Sequence, residues 1–306
     1  MDHDAVIIEV GLNEAVMPTV NPHVPITPAE CADDARRCHG AGAAVVHWHA
    51  RDPATGEQRL GDVALSGEAL DRMRGCDVLA YPSYPVDVPD TIDARLAHVW
   101  RLHDEHGLEL APVDIGSVTI VVWDEQHGDF AAVDTLRGLG VVHNSLPFTL
   151  DALDRAYALD MVPTLGAFDV GFTRTMSMLA EAGKLRPPVL HKVFLSGAWA
   201  VGPIPAEEAL DLHLRQISDG LDVEWVVVPY AIADPAVVER LCRYALERGG
   251  GIRVGIGDAP GAFPSATNAG LVERAVRWAE EAGRPAASST DVRHRFGLGN
   301  ADGRST

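Results

Sequence analysis

Lysine is nearly missing from the 306-residue chain: Lys184 and Lys192 are the only two, and arginine supplies the other cations. The basic residues together number 25 against 44 Asp+Glu, giving a formal net charge of −19 at pH 7. Such a deficit of positive charge excludes a general nucleic-acid binder, whose phosphate contacts need a basic face. It likewise excludes an anionic membrane surface as partner. Cysteine is scarce too, at positions 31, 38, 76 and 242. None of these pairs has the two-residue spacing of a zinc knuckle or redox motif, and so few in so long a chain make no disulfide framework. Buried free thiols and a cytoplasmic setting are expected. No apolar run reaches the roughly 18 residues of a membrane helix. The acidic start Met1-Asp2-His3-Asp4 lacks the charged-then-apolar layout of a signal peptide. Internal repeats and low-complexity linkers are absent. There is no Gly-x-Ser-x-Gly elbow, which leaves a serine hydrolase without support.

What remains is ordinary globular composition, 47% hydrophobic and 23% charged, arranged as short apolar runs alternating with helical patterns. Eight runs read as strands: 5–10, 43–49, 78–81, 108–113, 161–168, 189–195, 223–228 and 251–256. They are β-branched and apolar on both faces, as buried parallel strands are. Helical patterns lie between them, for example at 91–105, 149–159, 205–218 and 235–248. The clearest covers 28–41, with Thr27 as N-cap, Pro28 in the first turn, Glu30 three residues after the cap and Gly42 as the stop. Eight strands alternating with helices over this length predict one (β/α)8 TIM barrel spanning 1–306, with a doubly wound sheet as the alternative. The long stretch 117–144 is expected to hold a hairpin or lid, and residues beyond Leu298 a flexible tail.

A barrel carries its chemistry at the C-terminal ends of its strands, so the strand list becomes a site list. His47-Trp48-His49 ends the second strand. Residues i and i+2 of a strand share a face, so both imidazoles can meet one divalent metal, with zinc suited to such donors. Arg253 and Asp258 bracket the end of the eighth strand. Arginine holds carboxylates bidentately and a neighbouring carboxylate can serve as general base, although the two could equally form a structural ion pair. Gly255-x-Gly257 lacks the third glycine of a dinucleotide fingerprint. Glu14 follows the first strand; Ser83 sits in the stiff turn Tyr81-Pro82-Ser83-Tyr84-Pro85; Asp114-Ile115-Gly116-Ser117 ends the fourth strand and offers N–H groups to an anion.

Two blocks carry a resemblance. Pro25-Ile26-Thr27-Pro28-Ala29-Glu30 followed by Gly42-Ala43-Ala44-Val45-Val46-His47-Trp48-His49-Ala50-Arg51-Asp52-Pro53 resembles the β-keto acid cleavage enzymes. Gly250-Gly251-Ile252-Arg253-Val254-Gly255 with Ala266-Thr267-Asn268 is similar to the family's C-terminal block. The segment from about 115 to 225 matches weakly. The resemblance implies a (β/α)8 barrel, a divalent metal, usually zinc, and condensation of a β-keto acid with acetyl-CoA to give acetoacetate and a new CoA ester, in a symmetric homo-oligomer. It implies metal binding by His47 and His49, substrate contacts from Glu14 and Ser83, and proton removal by Asp258 assisted by Arg253. Asp114 and Ser117 join the substrate group by position, and Arg51, Arg174 and Arg253 are candidates to offset the CoA charge.

The chain departs from that family at several strand ends. Gly257 stands where a metal-binding glutamate is usual, Thr164 and Gly166 where acidic residues are typical, and Asp114-Ile115 in place of a more hydroxyl-rich pair. These changes keep two alternatives open: a metal-dependent barrel hydrolase or lyase that does without CoA, and a ligand-binding barrel with a weakened metal site.

Overall fold

A computed structural model describes residues 5–124, 128–130 and 140–299. Eight strands form one sheet: β1 (Ile8–Gly11), β2 (Val45–Trp48), β3 (Leu79–Pro82), β4 (Leu110–Asp114), and, after four two-residue strands, β9 (Val162–Ala167), β10 (Val189–Ser196), β11 (Val223–Tyr230) and β12 (Gly251–Val254). Every ladder is parallel, in the order β3-β2-β1-β12-β11-β10-β9-β4. The two end strands, β3 and β4, lie against each other, and the sheet wraps into a nearly closed (β/α)8 barrel. The doubly wound alternative is thereby excluded.

The helices form the outer ring: α1 (Pro28–Ala41), α2 (Val63–Met73), α3 (Ile92–Arg95), α4 (Ala97–His106), α5 (Leu146–Ala158), α6 (Val170–Glu181), α7 (Glu207–Leu214), α8 (Pro235–Glu247), α9 (Asn268–Glu281) and α10 (Ser289–Arg295). Thr27 caps α1 through a complete capping box with Glu30, and Gly42 ends it in the left-handed region, as the sequence indicates. The helix expected over 91–105 is broken: α3 stops at Leu96 and α4 restarts there. The helix expected over 149–159 begins earlier, where the Ser145 hydroxyl accepts the Phe148 N–H and Pro147 fits the first turn.

Strand alternation decides what faces inward. On β1, Ile8 and Val10 pack under the helices while Glu9 and Gly11 turn into the barrel. On β10, Val193 and Leu195 belong to the outer layer, and Lys192 and Phe194 line the inside. The interior is therefore polar at its upper end, with Glu9, Tyr81, Lys192 and Arg253 all buried there. Within the expected insertion, β5 (Val118–Thr119) pairs antiparallel with β8 (Val141–Val142) and β6 (Trp123–Asp124) with β7 (Asp129–Phe130). Its remainder, 125–127 and 131–139, and the expected tail from 300 onward lie outside the described residues. Among the described residues no helix is long and apolar enough to cross a membrane.

Candidate active site

The C-terminal ends of the strands surround a cavity of about 800 Å³, within the range of small-molecule sites. A larger hollow of about 1030 Å³ lies at the other end, between strand starts and the last residues, lined by Met73, His103, Met161 and Phe296. The second also has charged residues on its lining, among them Arg74, Glu109, Asp160 and Arg186, but the buried cluster of Glu14, His47, Lys192 and Arg253 is at the first.

His47 and His49 leave β2 on one face, with ring centroids 5.3 Å apart. The Nδ1–H of His47 donates to the Tyr81 carbonyl (3.2 Å) and that of His49 to Gln58 Oε1 (2.5 Å). Those bonds place a hydrogen on each Nδ1 and leave each Nε2 to face elsewhere. They point to Glu14: Oε1 is 3.3 Å from His47 Nε2, and Oε2 is 2.5 Å from His49 Nε2. The three residues present donor atoms all within 4.8 Å of one another. Burial and Arg253 pull the His47 imidazole down to about 4, so it is neutral at pH 7. Burial opposes the charge of Glu14, but His49 and His47 outweigh it and hold the carboxyl well below the usual carboxylate range. A carboxylate and two imidazole nitrogens suit a divalent metal.

Glu14 owes its position to strained backbone, with φ of 39° in the left-handed region that non-glycine residues rarely occupy. Asn13 Nδ2 ties this turn to the Pro25 and His49 carbonyls (3.0 Å each), and Asn13 Oδ1 accepts the His49 N–H (2.8 Å). Arg51, expected among the charges facing CoA, lines the cavity but is buried and bonded to carbonyls: Nη1 donates to Glu14 and Val16, and Nε to Gly56. Arg174 is exposed on α6.

Gly257, the position where the resemblance places a ligand carboxylate, faces Glu14. A Cβ at 257 would lie 2.7 Å from Glu14 Cγ and 3.0 Å from the Asn13 and Glu14 nitrogens. The Glu14 side chain thus fills, through its Cγ, the room that glycine leaves. Gly166 repeats the pattern: a Cβ there would come within 1.9 Å of Asp114 Oδ1.

Arg253 is the hub of the floor. It is 1% exposed and holds Asp258 with two bonds, Nε to Oδ2 (3.0 Å) and Nη2 to Oδ1 (2.6 Å). Nη2 also donates to Glu14 Oε1 (2.6 Å) and Nη1 to Glu9 Oε1 (3.0 Å). Only a glycine at position 11 permits this, since a Cβ there would sit 2.5 Å from Asp258 Oδ2. Burial raises the Asp258 carboxyl to about 7 despite the guanidinium beside it. Arg253 lines the cavity; Asp258 sits behind it and does not.

Of the other expected residues, Ser83 and Asp114 line the cavity. The Tyr84 hydroxyl donates to Asp114 Oδ2 (2.9 Å), and burial raises the Asp114 carboxyl. The Ser117 hydroxyl accepts the Asn144 N–H (3.0 Å) and braces the loop rather than lining the cavity. Sequence reasoning missed Glu9, Tyr81 and Lys192. Tyr81 stacks beside His47 (4.7 Å between centroids), donates to Glu9 Oε1 (2.5 Å) and accepts from Lys192 Nζ (2.8 Å). The opposite wall is aromatic: Phe168 stacks on Phe194 at 4.4 Å, and Trp199 meets Tyr230 edge-on at 4.8 Å.

Known proteins resemble this chain in sequence and in fold. The sequence profile described as beta-keto acid cleavage enzyme matches residues 5–298. The chain is 30% identical over 302 residues, 90% of each chain, to "3-dehydrocarnitine:acetyl-CoA trimethylamine transferase" of Rhizobium meliloti. It is 25% identical over 295 residues, 91% of this chain and 92% of the other, to "3-keto-5-aminohexanoate cleavage enzyme" of Acetoanaerobium sticklandii. Among solved structures, "Apo structure of ObcA" superposes with a TM-score of 0.66 at 17% identity, covering 91% of this chain and 66% of that one. "Binary complex of ObcA with oxaloacetate" gives 0.65 at 19% identity over 91% and 68%. At such identities the likeness to solved structures is one of fold.

Proposed function

The chain belongs to the beta-keto acid cleavage enzyme family, and from that premise we propose that it exchanges acyl groups between a β-keto acid and acetyl-CoA, with a divalent cation, zinc by the donor set, on His47, His49 and Glu14. As a CoA-dependent transferase that cleaves a C–C bond, it agrees with relatives named for the same chemistry. The observation that carries the reading is the convergence of two imidazoles and one carboxylate at the mouth of a barrel whose floor holds Arg253 and Asp258.

When bound, the cation supplies Lewis-acid polarisation of a keto oxygen. Everything else falls to the chain. Asp258, raised to about 7 by burial, is the proton acceptor for C2 of the keto acid, since a base working at neutral pH is most effective with its own pKa nearby. As folded, both its oxygens are held by Arg253, so Arg253 must swing toward the substrate to free it, and that movement brings its charge to the developing anion. The C2 carbanion forms a bond to the thioester carbonyl carbon and CoA thiolate leaves. The thiolate then attacks the original keto carbon, the C2–C3 bond breaks, and acetoacetate departs with the proton returned from Asp258. The aromatic wall of Phe168, Phe194, Trp199 and Tyr230 receives the variable chain of the keto acid and excludes water from it.

Incubating the metal-loaded protein with a panel of β-keto acids and acetyl-CoA, and reading acetoacetate and new CoA esters by mass spectrometry, tests the proposal. Failure of every keto acid to yield either product overturns it.

A further inference from the structure

Lys192 is a buried cation with no carboxylate in direct contact among the described residues. It projects from β10 into the barrel, is 4% exposed and lines the floor of the cavity. An ammonium carries three hydrogens. One goes to the Tyr81 hydroxyl (2.8 Å) and one to Thr164 Oγ1 (3.1 Å). Both acceptors are neutral, and among the described residues no carboxylate oxygen lies within the 4.0 Å of an ion pair. The acids nearby each bond to another group, Glu9 through Oε1 alone with Oε2 left unpartnered. Glu9 and Glu14 are gripped by Arg253, and Asp114 is turned over Gly166 and bonded by Tyr84. Lys192 rests instead on the face of the Tyr81 ring at 4.5 Å, and burial is the main force lowering its pKa. Buried charges are ordinarily paired. One that is hydrogen-bonded on two sides by hydroxyls and open to a cavity on the third has the form of a binding site for an anion.

We infer that Lys192, with the Tyr81 and Thr164 hydroxyls orienting it, is the anchor for a carboxylate of the substrate, fixing the end of the keto acid that reaches the floor while its carbonyl stays beside His47, His49 and Glu14. This rests on the keto acid reading above and makes it more specific. Tyr81 contacts both places, its ring centre 4.7 Å from that of His47 and 4.5 Å from Lys192 Nζ, so both lie within reach of one small acid.

The scarcity of lysine provides the test. Lys184 is exposed and Lys192 is buried, and they are the only two. Trace labelling of the unmodified protein with acetic anhydride, read by peptide mass spectrometry, reports each amine separately. Acetoacetate, a β-keto acid, should slow labelling of Lys192 by about tenfold or more and leave Lys184 unchanged, whereas neutral acetoacetamide should protect neither. In titration calorimetry, Lys192→Met should weaken acetoacetate binding about 10- to 100-fold with acetoacetamide binding nearly unmoved, and Lys192→Arg should recover part of the loss. Equal protection by the amide, or acetoacetate binding by Lys192→Met within twofold of the parent, overturns the inference. So does a borohydride-trapped adduct at Lys192, which would make the nitrogen a nucleophile rather than an anchor. These results separate from the functional reading, since turnover of keto acids with an indifferent Lys192 sinks only the anchor, and protected Lys192 without acyl transfer sinks only the reaction.

Discussion

Replacing Gly257 with alanine examines the arrangement most directly. The added Cβ would lie 2.7 Å from Glu14 Cγ and 3.0 Å from two backbone nitrogens, against about 3.5–4.0 Å for relaxed contacts between carbon atoms. The backbone cannot retreat easily, because Asn13 is tied at both ends of its amide and Glu14 already sits at φ 39°. The strain must therefore be relieved by moving the Glu14 side chain off Arg253 and the two imidazoles. Overpacking of this degree costs about 1–3 kcal/mol, and we expect the upper half of that range because charged hydrogen bonds are lost as well. Urea unfolding with an unchanged m-value measures it. A chelator competition with zinc should show the metal held about tenfold or more weakly. The companion experiment moves the donor between loops: Glu14→Ala should lose the metal, and adding Gly257→Glu to it should restore part of the affinity, since the new carboxylate enters the volume that Glu14 vacates. Should Gly257→Ala be as stable as the parent to within about 0.5 kcal/mol and hold zinc equally well, Glu14 does not occupy the place described.

Three further outcomes are expected. Single His47→Ala and His49→Ala substitutions should each reduce zinc, measured by elemental mass spectrometry, from near one ion per chain to a small fraction, while circular dichroism stays that of a barrel; retention of full metal by both refutes the ligand set. Since the Asp258 carboxyl sits at about 7 and acts only when deprotonated, kcat/KM should climb with pH to a plateau above 7, and Asp258→Asn should leave only residual turnover at any pH; a limb at the ordinary carboxylate value near 4 would contradict the burial argument. Thr173 joins His191 Nε2 (3.0 Å) to His213 Nδ1 (2.7 Å) beneath α6 and α7, and burial lowers the two imidazoles to about 3 and about 4. The fold admits them only as neutral rings, so their contribution is complete above an unfolded pKa of about 6.5 and drains away as pH falls toward their folded values, by about 1.4 kcal/mol per pH unit for each. Unfolding free energies at pH 6.5 and 5 should differ by about 2–4 kcal/mol on this account, and the dependence should flatten in His213→Gln; an equal slope in that variant would discard the explanation.

How much of this could be read from letters alone follows from the range of each interaction. The His47–His49 pair was legible because a period of two operates within one strand. The barrel was legible because eight buried runs alternate with helices. Lys192 escaped notice inside the apolar run Val189–Leu195, although it alternates with His191 and Val193 and so shares the inward face with Phe194; an isolated lysine in such a run was the available signal. Glu9 was hidden in the first strand for the same reason. Ser117 and Arg51 have the chemistry of ligand contacts and work as braces, because only the packed loops reveal which carbonyls and N–H groups need them. Gly257 was readable as the loss of a donor. That Glu14 occupies the freed volume depends on two loops more than 240 positions apart meeting at the top of β1 and β12, and no local pattern encodes that approach.

The glycines at 257 and 166, each overlain by an acid from a neighbouring strand end, bear on how divergent enzymes are compared. A Cβ at either glycine would strike the acid lying over it, so a side chain at 257 or 166 and the neighbouring carboxylate residue compete for one volume. The two members of each pair are therefore bound to change together, and a substitution at one is to be judged only with the other in view.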